Sequence, residues 1–257
     1  MTQPVTQKRI SFLGLPLDVG YSIADLTSLL TKKGESKLVT FVRADAWAFV
    51  AKHPEFAEQL GKMDLVIPAS FDIAYSAQQL HDTACTDVCF ETYSLAAPFF
   101  KAAIEQHISV MLVGGQPAID ERVHDKLVTT YPGLNIPTTA NGYGDIAPKI
   151  ALILEKKPDV VLVDYAAGKA ENFLIALKDA GYKGVAIAVT GFFDETLLDT
   201  EFYPEWAKKW NVQYTYRLLS QPGTLLSGFI GAYPSFAIPA VKALADKYKD
   251  KYLPKKA

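Results

Sequence analysis

The sequence predicts an α/β protein in which parallel strands alternate with amphipathic helices, and three observations carry that reading. The runs Ser109-Val-Met-Leu-Val113, Val160-Val-Leu-Val163 and Gly184-Val-Ala-Ile-Ala-Val-Thr190 are short, apolar and continuous, as strands covered on both faces are. Between them apolar residues recur at helical spacing, as at Ile119, Val123, Leu127 and Val128. Strands stop at turns of small or polar residues: Gly114-Gly-Gln-Pro117, Asn141-Gly-Tyr-Gly-Asp145 and Asp164-Tyr-Ala-Ala-Gly-Lys-Ala-Glu171. Ligands of open parallel sheets bind at the carboxyl ends of the strands. A site is therefore expected within Ser109 to Glu171.

In chain order, residues 1–8 read as a loose arm. Arg9 to Leu13 reads as a strand that ends at Gly14-Leu-Pro16-Leu-Asp18. Ser22 to Lys33 follows as a helix with Leu26, Leu29 and Leu30 on one face, and Lys37 to Val42 as a strand. Ala44 to Val50 and Pro54 to Gly61 form helical pieces, and Asp64 to Ile67 a strand stopping at Pro68-Ala-Ser70. Residues 71–94 are less regular, with His81 to Asp87 as a loop before a helix from Tyr93 to Gln106. The helices Ile146 to Lys156 and Asn172 to Ala180 flank the strand at Val160. The expected division is an N-terminal α/β half over 1–107, a second half over 108–222 and a helical appendage over 223–257.

Composition excludes some classes of function. The chain has 257 residues and a net charge of −2, enough for one large or two small cores and no general electrostatic case for nucleic acid. Cys85 and Cys89 have no second pair or His at zinc spacing, which reads as a buried thiol pair in a reducing compartment. The first residues lack an apolar h-region, so the cytoplasm is the expected location.

The last third differs. Glu201 to Asn211 and Val212 to Leu219 read as aromatic-rich helices carrying Phe202, Tyr203, Trp206, Trp210, Tyr214 and Tyr216. Leu218 to Val241 carries no charge, but Pro222, Pro234 and Pro239 are expected to interrupt a spanning helix. A lysine-rich tail follows. Two readings stay open: contact with an anionic membrane surface, or a helix packed on the core with a solvated tail.

No Walker A, Gly-x-Gly-x-x-Gly, His-Glu-x-x-His or Gly-x-Ser-x-Gly pattern occurs. His53, His81, His107 and His124 are scattered, so neither a His triad nor a metal site is expected. Backbone N–H groups at the helix starts suit phosphate, and Lys169 could add a point charge for a diphosphate. From the residues alone, a phosphorylated ligand and plain connecting turns are equally open.

The order of blocks resembles the WecG/TagA/CpsF glycosyltransferases (glycosyltransferase family 26). Gly14-x-Pro16-x-Asp18, His53-Pro-Glu-Phe, Met63-Asp-Leu-Val-Ile-Pro68, Leu112-Val-Gly-Gly-Gln-Pro117, Tyr131-Pro-Gly-Leu134 and Gly142-Tyr143 follow the family's sequence of blocks. Val163 to Glu171 stands where the family has Val-Gly-Leu-Gly-x-Pro-Lys-Gln-Glu, and Gly191-Phe-Phe-Asp194 and Tyr216-Arg-Leu-Leu-x-Gln-Pro222 match later blocks. The resemblance implies Rossmann-like parallel sheets with flanking helices, two halves facing a central cleft and a helical C-terminal appendage. It also implies inverting, metal-free and otherwise cofactor-free transfer from a UDP-sugar to a polyprenyl-diphosphate-linked acceptor at the inner face of the cell membrane. Donor contacts are expected at Gly114, Gly115, Gln116, Pro117, Asn141, Gly142, Tyr143, Asp164, Lys169, Glu171, Asp194 and Arg217. A homo-oligomer is left open.

The departures fall on the catalytic side. The family's Thr-Pro-Asn is Phe41-Val42-Arg43, and its catalytic Asp is Ala69, followed by Ser70. Its Arg-Val-x-Gly-x-Asp block aligns with Cys89 to Ser94, without the Arg or the Asp. Since alanine cannot accept a proton, Asp72 or Glu91 is the candidate base, and Arg43 is a candidate for pairing with a phosphate or carboxylate. The alternative is a catalytically degenerate relative that binds a nucleotide sugar or a partner protein and scaffolds polysaccharide assembly. Plainer roles compete for individual residues: Asp18 and Asp194 as helix caps, Lys169 and Glu171 as a solvated helix start.

Overall fold

The computed structural model describes residues 6–197 and 222–252. The expected helices of 201–219, with their aromatic residues, and Arg217 lie outside the described residues. The chain opens with β1 (Lys8–Phe12) and β2 (Leu15–Val19), an antiparallel hairpin. It continues through α1 (Ile23–Leu30), β3 (Lys37–Val42), α2 (Asp45–Lys52), α3 (Glu55–Gly61), β4 (Leu65–Pro68), α4 (Phe71–His81), α5 (Ala96–Glu105) and β5 (Val110–Gly114). Then come α6 (Ile119–Thr130), β6 (Thr139–Ala140), α7 (Ile146–Lys156), β7 (Val160–Asp164), α8 (Lys169–Asp179), β8 (Val185–Ala188), α9 (Phe192–Leu197) and α10 (Pro222–Tyr252).

β3 to β8 form one six-stranded parallel sheet in the order β4-β3-β8-β7-β5-β6. The α/β class, the flanking helices and the C-terminal helix are as the sequence predicts. Strands from both halves join in this sheet, since β3 pairs with β8. Alternate strand residues feed two cores. Met111, Val113, Val161, Val163, Ala186 and Ala188 face α2, α3, α4, α7, α8 and α10. Val110, Leu112, Val160, Leu162, Val185 and Ile187 face α1, α5, α6 and α9. From β5 the chain moves outward to β6, and from β7 it moves the other way to β8. The adjacent strands β5 and β7 thus flank a topological switch point, where such sheets open a crevice at their carboxyl ends.

Four expectations are corrected. Leu15 to Asp18 is not a strand end but a second strand, returned by Leu13 and Gly14, both at positive φ (48° and 85°) as a two-residue hairpin turn requires. Pro16 is accommodated because the hairpin is a separate ribbon. Asp18 caps no helix: its carboxylate accepts from Arg9 (2.7 Å) and from the buried Val66 N–H (2.7 Å), clamping the hairpin to β4. Residues 71–81 are not irregular but form α4, which buries Ile73, Ala74 and Ala77; the intervening polar residues blur its stripe. Pro234 and Pro239 do not interrupt α10. Both prolines are exposed. Phe236 and Ala240, one turn apart, hold the helix against the core, with the Phe236 ring 5.1 Å from that of Trp47. Among the described residues, no helix is long and apolar enough to cross a membrane.

Asp18→Ala removes both bonds of this clamp and leaves the Val66 N–H buried and unbonded. A loss of roughly 2–3 kcal/mol in urea unfolding is expected.

Candidate functional site

The turns after β5, β6 and β7 meet. β5 pairs with β7 as far as Gly114 and Asp164, and a Cβ on Gly114 would collide with the Asp164 carbonyl oxygen. Gly114 also has φ 140°, which side chains disfavour. Gly115 N–H donates to Asp164 O (3.4 Å), and Gly142 N–H donates to Gly115 O (2.8 Å). A Cβ on Gly142 would stand 2.8 Å from that same oxygen. From the third turn, the Lys169 ammonium lies 4.6 Å above the Tyr165 ring centroid and donates to Gly142 O at 3.4 Å. Gly114, Gly115, Gly142 and Lys169 are therefore brought together. Gln116 and Pro117 are exposed beside them. Asn141 Oδ1 accepts from Tyr143 N–H (3.1 Å), while the buried Lys149 ammonium donates to Tyr143 O and Asp145 O, leaving the Tyr143 side chain exposed.

The acidic residues of the third turn mostly hold backbone. Glu171 is 2% exposed: Oε1 accepts from the Thr40 hydroxyl (2.6 Å) and Oε2 from Gly168 N–H (2.7 Å). It is not solvated, and both its oxygens have protein donors, so it ties the start of α8 to β3. The Asp164 carboxylate accepts from Gly191 N–H (2.8 Å) and Phe193 N–H (2.6 Å), tethering the turn after β8. Burial pushes Asp164 up to about 6, against these two bonds, which act to lower it. Asp194 is exposed on α9 and adds a like charge.

The candidate acceptor side lies at the ends of β3 and β4. Arg43 is exposed immediately after β3. Ser70 precedes α4 but makes no capping bond. Asp72 is in the first turn of α4, half-buried, with Oδ1 accepting from Ile73 N–H (2.9 Å). Phe71 and Tyr75 flank it, 71% and 49% exposed, with their rings stacked at 5.7 Å. Glu91 is half-buried in the loop before α5, close enough to Cys89 to raise that thiol's pKa along with burial, the larger cause. Both cysteines are free thiols, and burial holds Cys85 at about 11. Neither is a reactive thiolate at neutral pH.

Sequence reasoning missed several residues. Gln59 Oε1, Ser70 Oγ, Tyr165 OH and Thr196 Oγ1 are buried without a hydrogen-bond partner among the described residues. All lie in segments that reach the carboxyl end of the sheet. The signal for Tyr165 was an aromatic four residues before a lysine at a helix start. A cavity of about 490 Å³, with Lys33, Lys157 and Lys183 at its rim, lies at the opposite end of the strands, away from these turns.

Gly114→Ala should melt well below wild type, by about 2 kcal/mol or more, because backbone must shift. Asp164→Asn tests the buried carboxylate. A raised folded pKa gives stability that is fully present below about 4 and lost as pH rises through about 6. Wild type should therefore gain on the variant as pH falls from 7 to 4.5, by at most ~3 kcal/mol, in paired melting curves.

Residues 10–250 match the Glycosyl transferase WecG/TagA/CpsF family. A similar protein is the UDP-Gal:alpha-D-GlcNAc-diphosphoundecaprenol beta-1,4-galactosyltransferase of Shigella boydii, 19% identical over 217 residues, covering 83% of this chain and 90% of that one. Another is the N-acetylglucosaminyldiphosphoundecaprenol N-acetyl-beta-D-mannosaminyltransferase of Bacillus subtilis (strain 168), 22% identical over 213 residues, with 81% and 80% covered. The enzyme of the same name from Bacillus spizizenii is 20% identical over 225 residues, with 86% and 84% covered. With the family match running over nearly its whole length, this chain belongs to the WecG/TagA/CpsF glycosyltransferase family.

Proposed function

We propose that the protein transfers a sugar from a UDP-sugar to a polyprenyl-diphosphate-linked acceptor, with inversion, in the assembly of a surface polysaccharide. The observation that carries this reading is the convergence of Gly114, Gly115, Gly142 and Lys169 at the switch point of a sheet whose chain belongs to a glycosyltransferase family. The relatives' names support it: they specify diphosphoundecaprenol-linked acceptors, and one specifies UDP-Gal as donor.

The chemistry divides between the two sides. An acceptor hydroxyl attacks the anomeric carbon, its proton passes to a carboxylate, and the bond from that carbon to the diphosphate breaks. The Lys169 ammonium offsets the charge left on the diphosphate. Asp72 is the first candidate base, since it is partly exposed in the turn that follows β4, near where the family's Asp is Ala69. Glu91 is the second. The exposed Phe71–Tyr75 pair beside Asp72 suits an acceptor with apolar character. The lysines of α10 suit peripheral contact with an anionic membrane. No metal is assigned a step.

A second reading is favoured by Ala69 itself: the donor side is kept and turnover is lost, leaving a nucleotide-sugar-binding scaffold. Two measurements separate the readings. A UDP-sugar at 100 times its dissociation constant should stabilise wild type by about 2.7 kcal/mol and Lys169→Ala by much less. Transfer to a lipid-linked acceptor should fall at least a hundredfold in Asp72→Ala. Binding without any transfer in wild type would establish the scaffold. Full turnover in both Asp72→Ala and Glu91→Ala would exclude both as the base.

A further inference from the structure

Tyr165 is the residue of the third turn whose placement the fold alone does not explain. Its ring is 5% exposed and fixed on several sides: edge-on to Phe173 at 5.5 Å, under the Lys169 ammonium, and with its main-chain oxygen bonded by the Thr190 hydroxyl (2.8 Å). A Cβ on Gly142 would come within 2.9 Å of Tyr165 Cε1, so the ring edge next to the hydroxyl abuts the second turn. The hydroxyl there has no hydrogen-bond partner among the described residues. A buried hydroxyl left unbonded destabilises the fold, and the family signature has Leu at this position, which fills such a space without one. Relative to leucine, the phenol adds one polar group, on the ring edge that lies beside Gly142.

We infer that Tyr165 binds the donor, its hydroxyl and the Lys169 ammonium together taking an oxygen of the diphosphate. The identity of the ligand rests on the nucleotide-sugar reading above. Lys169 is exposed, and its bond to Gly142 O is long at 3.4 Å, so the ammonium can leave the ring face for an anion; in the proposal the bound anion also reaches the hydroxyl at the ring edge beside Gly142. Burial raises the phenol's pKa, so Tyr165 remains a donor at neutral pH. Two donors, one charged and one neutral, suit a phosphate oxygen better than a sugar hydroxyl.

Calorimetric titration of wild type, Tyr165→Phe and Lys169→Ala with inorganic pyrophosphate and with UDP tests this, beside melting without ligand. Tyr165→Phe should melt at or above wild type, because it deletes an unbonded polar group, while binding both ligands roughly tenfold or more weakly. Lys169→Ala should weaken both as well. If Tyr165→Phe binds UDP as wild type does, the inference falls and the nucleotide-sugar reading stands. A variant that melts lower without ligand makes the hydroxyl structural and also overturns the inference. If wild type binds pyrophosphate but not UDP, and the variant loses that binding, the inference stands and the nucleotide reading falls. Wild type binding neither overturns both.

Discussion

The carboxyl edge of the sheet depends on how closely three turns approach one another. Gly114 lies against the Asp164 carbonyl, and Gly142 lies against the Gly115 carbonyl, at separations that leave no space for a side chain. Because the backbones touch, the three turns, the Lys169 ammonium and the buried Tyr165 ring beneath it are held together instead of lying on separate loops. A site of this kind is preorganised by backbone contact, which suits stabilisation of a leaving diphosphate.

Buried carboxylates keep that surface in place. Glu171 spends one oxygen on the start of α8 and the other on Thr40 of β3, fixing the third turn relative to the side that holds Arg43 and, beyond it, Asp72. Asp164 tethers the turn after β8 despite the cost of its burial. The two sides of the site are therefore mechanically linked through one sheet.

Much of this was legible in the sequence because buried parallel strands announce themselves as apolar runs. The strand Lys37–Val42 and the helix Ile146–Lys156 are found where periodicity predicts them. What was not legible depended on tertiary context. β2 contains a proline and follows a glycine, which reads as a turn until its hairpin partner is known. The stripe of α4 is diluted by Gln78, Gln79 and the buried Ser76. Two prolines in α10 read as breaks, and only packing of Phe236 and Ala240 on the core outweighs them. At the site, sequence order brought the glycines and Lys169 to notice. It does not separate the buried Glu171, which holds backbone, from the exposed Lys169, nor show that Tyr165 OH lacks a partner among the described residues.

In the proposed reading, the turns after β5, β6 and β7 form the nucleotide-sugar site. Amide hydrogen exchange of the full chain with and without a UDP-sugar tests it most directly. Added protection should concentrate in residues 114–119, 141–145 and 164–171, with no change around Lys33, Lys157 and Lys183 at the other end of the sheet. Protection confined to that opposite end, or none anywhere at saturating ligand, would contradict it.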